Sequence, residues 1–510
     1  LALYRQMPWS GVPVVPIEVM LLPKWFPFHL DKVSYWARTV MVPLMVLTAL
    51  RPAPVNAKGI GVAELFAVPP EEVKHWPGGA HQKEPWTTLF GWLDRLLHVA
   101  EPFFPQATRK RAIARAEAFT IERLNGVDGL GAIFPAMVNS LLMFDALGYP
   151  AGDERVKLAR ESIERLLVVK DDEAYCQPCV SPVWDTALVS HALLETGDPQ
   201  SEARAREALE WLKPLQVLDV KGDWAVRRPD VRPGGWAFQY NNAHYPDVDD
   251  TAVVVMAMNR AVGDYDHAIA RAREWIEGLQ SKDGGWGAFD ADNAYHYLNN
   301  IPFADHGALL DPPTADVSAR CLSMLAQLGA TTENSPVFAR GVDYLLKEQE
   351  KDGSWYGRWG MNYIYGTWSS LCALNVAGLG ADHPAMRKAV EWLAAIQNAD
   401  GGWGEDGASY KLDYRGYEKA PSTASQTAWA LMALMAAGER DHPAVARGVA
   451  YLTAHQASDG FWDEELFTAT GFPRVFYLRY HGYSKFFPLW ALARYRNLSA
   501  SNSRSVAFGM

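Results

Sequence analysis

With 510 residues, 49% of them hydrophobic and 21% charged, the chain can fill two or three packed domains and is globular in composition, not disordered. A formal charge of −11, a pI near 5.7 and the lack of a long basic run argue against a nucleic-acid partner, because neutralising phosphates takes clustered Lys and Arg. Four sparse cysteines make no disulfide scaffold, whereas 20 Trp, 21 Tyr and 20 Phe exceed what core packing needs and point to an aromatic-lined cavity or interface.

The chain opens on Leu1 and not Met, so natural residues are expected to precede it, and no signal peptide is visible. The longest apolar run, "VMVPLMVLTAL" from Val40, is about half the roughly 20 residues of a spanning helix and contains Pro43. Next, "PWTTLFGWLDRLLHVAEPFFP" (85–105) puts Trp86, Leu89, Phe90, Leu93, Leu96 and Leu97 on one helical face. Periodicity alone would turn that face inward. "CQPC" (176–179) has redox or zinc spacing but no second cysteine pair follows, and a proline-bearing loop is expected there.

From here a repeat organises the chain. "WIEGLQSKDGGW" (275–286), "YLLKEQEKDGSW" (344–355), "WLAAIQNADGGW" (392–403) and "YLTAHQASDGFW" (451–462) share an aromatic, a Gln and a Trp around an Asp-Gly turn. "WLKPLQVLDVKGDW" (211–224) is a longer-spaced version, and "AFTIERLNGVDGLG" (118–131) a degenerate one. The aromatic and the aliphatic residues after it belong to a helix that ends near the Gln, Gly accepts the positive φ of the turn, the Gln amide bonds exposed backbone or caps a neighbouring helix, and the Trp packs across the turn as a structural staple. No catalytic role is assigned to these residues.

Alternating with them are "SPVWDTALVSHALLETG", "YPDVDDTAVVVMAMNRA", "PPTADVSARCLSMLAQLG", "YIYGTWSSLCALNVAGLG" and "PSTASQTAWALMALMAAG". Helices apolar around most of their circumference belong inside, and inner helices alternating with polar-faced outer ones make an α/α barrel. Aligning these segments sets Asp185, Asp250 and Asp316 at one position, so Asp250 is expected to serve at least in part as a helix cap. Asp249 and Asp247 are surplus acids, with Trp184 and Ala315 opposite Asp249.

"DVDDTA" after "GGWAFQY", the Gln–Trp repeats, "SPVWDTAL", "GRWGMNYIYGTW" and "ATGFPRVFYLRYHGY" together resemble the bacterial squalene–hopene cyclases, class II triterpene cyclases, over practically the whole chain. The resemblance implies an all-α protein of two α/α barrels enclosing a large apolar cavity: residues 1–175 as one barrel carrying the membrane-facing helix and lacking a further N-terminal segment, and 176–510 as the (α/α)6-type catalytic barrel. It implies an isomerase that takes squalene from the cytoplasmic side of the cell membrane as a peripheral, monotopic enzyme, with no cofactor. A homodimer is compatible with it.

Squalene has no diphosphate to ionise, so its cyclisation starts by protonating an alkene, which demands a protonated, desolvated carboxylic acid. Two carboxylates about 4 Å apart at an effective dielectric near 20 cost roughly 4 kcal/mol when both ionise, or about 3 pKa units, so crowding keeps one neutral. By resemblance Asp249 is the proton donor, Asp247 and Asp250 support it, and Arg320 or its neighbour Asp316 polarises it. The rings facing the first cations are Phe238, Phe303 and Phe289, and those facing later ones Phe472, Phe476, Tyr480 and Tyr483. Trp36, Trp184, Trp359, Ile133, Pro135 and Tyr365 complete the wall, and Phe134 stands where some relatives carry a polar residue. The Asp pairs at 171–172 and 249–250 do not continue as a DDxxD diphosphate–magnesium motif, so no metal is expected. With a membrane-borne substrate, the 85–105 face is expected to insert into the interface. The competing readings are a class II cyclase for another polyprenoid, including a diphosphate-bearing one, and a non-catalytic α/α toroid.

Overall fold

A computed structural model of the chain describes residues 1–53, 56, 58–73, 79–302, 307–410, 416–501 and 505–510. Two compact units emerge, Leu1–Val180 with Asn293–Asp311, and Ser181–Asp292 with Pro312–Met510.

In the first unit the helices are α1 (Tyr35–Leu50), α2 (Trp86–Ala100), α3 (Gln106–Glu122), α4 (Phe134–Ala146) and α5 (Glu154–Glu164). Apolar α1 and α4 pack on each other, with the more polar α3 and α5 against them. Ile17, Met20, Val42, Met45, Val46, Met143 and Phe144 form the core between them. A hairpin, β1 (Leu167–Val169) with β2 (Ala174–Cys176), ends this part of the chain; Cys176 is exposed and Cys179 half-buried. The division at 175 and 176 misses one feature. Residues 293–311 leave the second unit and pack with the first, where backbone groups hold them. Ser34 N donates to Leu309 O (2.6 Å), the Trp36 indole to Ala308 O (2.8 Å), and Gln82 Nε2 to Ile301 O (3.0 Å). Composition carries no trace of such an excursion, because these bonds accept on its backbone carbonyls, which any residue supplies.

The second unit is a closed ring. Its inner helices are α6 (Pro182–Thr196), α8 (Val248–Arg260), α10 (Ala315–Gln327), α12 (Tyr363–Val376), α14 (Ala424–Ala436) and α16 (Tyr483–Ala500), each packed on the next and α16 back on α6. Outside them run α7 (Pro199–Leu212), α9 (Asp266–Gly278), α11 (Pro336–Lys347), α13 (Pro384–Ala395) and α15 (Pro443–Ala454). Two hairpins, β3 (Trp403–Glu405) with β4 (Lys419–Thr423) and β5 (Ala469–Phe472) with β6 (Phe476–Leu478), extend from the N-terminal ends of α14 and α16. The all-α class and the α/α ring expected from the alternation are what the chain forms.

The repeat is the staple that joins successive hairpins. Each Trp indole donates to the preceding outer helix: Trp286 to Ile276 O, Trp355 to Leu345 O, Trp403 to Leu393 O and Trp462 to Leu452 O, all at 2.7–2.8 Å. The amides of Gln280, Gln349 and Gln397 bond the turn glycine and the first turn of the next outer helix, as Gln349 does with Gly353 O (2.9 Å) and Ala385 O (2.8 Å), whereas Gln456, after which no outer helix follows among the described residues, bonds Gly460 O (2.9 Å). The glycines take the expected positive φ, +102° at Gly353 and +90° at Gly401. The longer-spaced repeat differs from its reading at 211–224. Gln216 bonds Gly234 O and the indole donating to Leu212 O is that of Trp236, not Trp224, so residues 217–233 are an insertion inside the staple.

Candidate active site

The staple also fixes the register of the inner helices. The backbone N–H of Trp236, Trp286, Trp355 and Trp403 donates to the hydroxyl of Thr251, Ser318, Thr367 and Thr427 at 2.9–3.0 Å. Thr251 and Ser318 are therefore equivalent, which places Asp316 opposite Asp249 and Val317 opposite Asp250. Alignment by Asp alone slips this register by one residue. The cap assignment is corrected too. Asp247 is the N-cap of α8, accepting from the backbone N–H of Asp249 (2.7 Å) and Asp250 (3.1 Å), while Asp250 lies in the first turn.

Asp249 and Asp250 thus lie in the first turn of a buried apolar helix, where water cannot solvate their charge. Burial pushes the Asp249 carboxyl up to about 7, against the opposing pull of Arg320 and with a smaller push from Asp316. Asp250 is driven well above its ordinary value by burial first, then by the charges of Asp247 and Asp249. Of the flanking acids, Asp185 on α6 is raised to about 6 by burial although Ser181 donates to it (2.6 Å). Oδ1 of Asp249 and of Asp250 are buried with no hydrogen-bond partner among the described residues.

Arg320 and Asp316 take different parts. Arg320, on α10, is buried with Nε 3.3 Å from Asp249 Oδ1. Asp316 turns to backbone: Oδ2 accepts from Arg358 N (2.9 Å) and Trp359 N (2.8 Å), and Oδ1 from Thr314 (2.6 Å). It acts on Asp249 through its charge and fixes Trp359 directly. Among the described residues no group of three or more His, Cys, Asp or Glu is arranged to hold a metal ion.

The structure brings most of the expected rings of the second unit into linked pairs. Tyr480 stacks on Tyr483 with centroids 4.5 Å apart and meets Phe238 edge-on at 6.4 Å. The Trp184 indole donates to the Tyr483 hydroxyl (2.8 Å), and Phe289 meets Trp359 edge-on at 6.4 Å. Phe472 ends β5, half-buried. In the first unit Trp36 is buried on α1, Ile133 is the N-cap of α4 and half-buried, and Pro135 is exposed in its first turn beside half-buried Phe134. Phe303 and the side chain of Phe476 lie outside the described residues.

Two supports escaped sequence reasoning. Glu405, in β3, accepts from the backbone N–H of Asn362 (3.2 Å), Tyr363 (3.1 Å) and Ile364 (3.0 Å), setting the start of α12 and so the place of Tyr365. Burial raises it to about 7 in spite of those bonds. Its one sequence signal is an acid two residues after a repeat Trp. The other support is the aromatic surround of Arg320, whose guanidinium lies 4.9 Å from the Trp368 ring, 5.0 Å from Tyr365 and 5.7 Å from Trp184.

Comparison with known proteins decides the family. Residues 180–497 match the model of the squalene-hopene cyclase C-terminal domain and residues 1–172 that of its N-terminal domain. The squalene–hopene cyclase of Bradyrhizobium diazoefficiens is 64% identical over 100% of this chain and 78% of its own length. That of Zymomonas mobilis is 59% identical over 100% and 79%, and that of Alicyclobacillus acidocaldarius 41% identical over 97% and 78%. The chain belongs to the squalene–hopene cyclase family. As a family member it carries its acid cluster and Arg320 on adjacent inner helices of the closed ring, α8 and α10.

Proposed function

We propose that the protein cyclises squalene to hopene, with water capture giving hopanol as a second outcome. One observation carries this: Asp249 is a buried carboxylic acid lifted to about 7, whose Oδ1 has no hydrogen-bond partner among the described residues and faces the Nε edge of Arg320 at 3.3 Å. An acid in that state can protonate an alkene and leaves a carboxylate that a fixed guanidinium stabilises. Asp247 orders the first turn of α8, Asp250 adds a second neutral acid, and Arg320 takes up the charge when the proton leaves. Phe238, Phe289, Phe472, Tyr480 and Tyr483 then present ring faces to the migrating cation, each worth roughly 1 to 2 kcal/mol in a dry site.

The substrate reaches the enzyme from a bilayer, at the cytoplasmic side of the membrane. No described helix is long and apolar enough to cross one. On α2 the exposed positions include Trp86, Leu89, Trp92, Leu93, Leu96 and Val99, with Phe103 following, while Phe90 alone of that helix is fully buried. An outward apolar face of this kind suits interfacial insertion. Changing Leu89 and Leu93 to Lys should abolish vesicle binding while leaving the circular-dichroism spectrum intact; unchanged binding refutes insertion.

The activity itself is tested by incubating solubilised protein with squalene and resolving the products by mass spectrometry. Pentacyclic hopene or hopanol is expected. Squalene recovered intact, with turnover of a different polyprenoid, would replace this reading by the other cyclase.

A further inference from the structure

An arginine beside a proton donor is a hazard. A guanidinium that grips a carboxylate through its two-pronged end favours the ionised form by about 1 to 3 pKa units and would remove the proton the reaction needs. How Arg320 is held decides whether Asp249 keeps it.

Both terminal nitrogens of Arg320 are engaged elsewhere. Nη1 donates to the Ser369 hydroxyl (2.7 Å) and Nη2 to the Tyr365 hydroxyl. Ser369 is itself fixed, donating to Tyr365 O one turn back on α12 (2.9 Å). The rings of Trp368, Tyr365 and Trp184 hold the guanidinium from around it. What faces Asp249 is the single Nε–H, 3.3 Å from Oδ1, and neither atom completes a hydrogen bond among the described residues. The contact is close enough to stabilise the carboxylate after proton transfer and too poorly aligned to draw the proton off beforehand.

We propose that Ser369 is a positioning residue for the proton donor: with Tyr365 it ties down the fork of Arg320 so that only the Nε edge meets Asp249. This rests on the reading of Asp249 as the acid. The groups that bear on Asp249 are Asp247 and Asp250 on α8, Asp316, Arg320 and Cys321 on α10 and Tyr365 on α12, with Tyr483 on α16 beside Arg320 and Asp185 on α6 beside Asp250. Ser369 carries no charge, so its effect on the acid runs through Arg320.

The test compares pH profiles of squalene conversion by the full chain carrying Ser369→Ala, Ser369→Thr or Tyr365→Phe. In Ser369→Ala, Nη1 is released and turns toward Asp249, and the alkaline limb of kcat/KM should move down by about one pH unit. That is about fivefold less activity near pH 7 and little change near pH 5. Ser369→Thr keeps the hydroxyl and should restore the limb. Tyr365→Phe releases Nη2 and should shift it the same way, and it decides the matter if Ser369→Ala does not fold. A loss uniform across pH, or limbs unmoved in Ser369→Ala and Tyr365→Phe, overturns the proposal. The protonated-carboxyl infrared band that disappears in Asp249→Asn reads the same shift without turnover. Failure of Asp249 as donor, seen as an active Asp249→Asn, is thereby told apart from failure of the Ser369 role.

Discussion

The two ends of the inner ring bury the same kinds of groups with opposite results. At the N-terminal end of α8, Asp249 sits among acids with one guanidinium edge and is held protonated up to about 7. Some 16 Å along the same helix at 1.5 Å per residue, Arg260 meets Glu195 of α6 (2.9 Å), which also takes Arg494 of α16 (3.1 Å). Burial pushes Glu195 up as well, but two arginines overcome it and hold the carboxyl down at about 2. His191, stacked on Trp490 in the same cluster, is pushed down to about 3 by burial and the nearby Arg260, and so stays neutral. Burial is common to both ends; the ratio of cations to carboxylates, and whether the arginine presents its fork, decides the protonation state. On the proposed function, one end is a site for chemistry and the other a clasp.

The largest effect should come from breaking the acid end. Asp249→Asn should lower squalene turnover by about 10³-fold or more with the fold retained, measured by product mass and circular dichroism. Breaking the clasp should do the reverse. Glu195→Gln strands two buried arginines and should cost about 3 to 5 kcal/mol in urea unfolding while the residual folded protein keeps its catalytic pH profile. A mutant that lost activity without losing stability would show the clasp to be part of the chemistry.

A smaller and more discriminating effect is the opposite sign of the two carboxyls in stability against pH. The folded Asp249 value lies above its ordinary 3.8, so its contribution is full below that value and fades as pH rises toward about 7. The folded Glu195 value lies below its ordinary 4.5, so its contribution is present above that and fades as pH falls toward about 2. Relative to the parent, Asp249→Asn should therefore gain stability between about pH 4 and pH 7, while Glu195→Gln should lose most above about pH 4.5. Unfolding curves across that range, with both mutants moving in the same direction, would refute the contrast.

The sequence by itself determined the ring and the identity of its acids. Five apolar segments alternating with Gln–Trp turns admit one economical arrangement, and the crowding of three acids at 247–250 is legible in the sequence, because periodicity and local composition are properties of the chain itself; that Asp249 lacks an acidic counterpart in the repeat is the reading the structure overturns. Register is not legible there. Asp316 aligns with Asp249 only once Trp286 N is seen on Ser318 and Trp236 N on Thr251, and the insertion at 217–233 only once Trp236 is seen on Leu212. The cap fell to Asp247 because the chain enters α8 three residues before Asp250. Tertiary structure alone decided how the acids are held, since Asp249 meets the Nε edge of Arg320, 71 positions away in sequence, whose Nη1 is tied to Ser369, 120 positions away, inside a closed ring of helices that excludes water. Composition counts charges; only packing sets the distance and angle at which they meet.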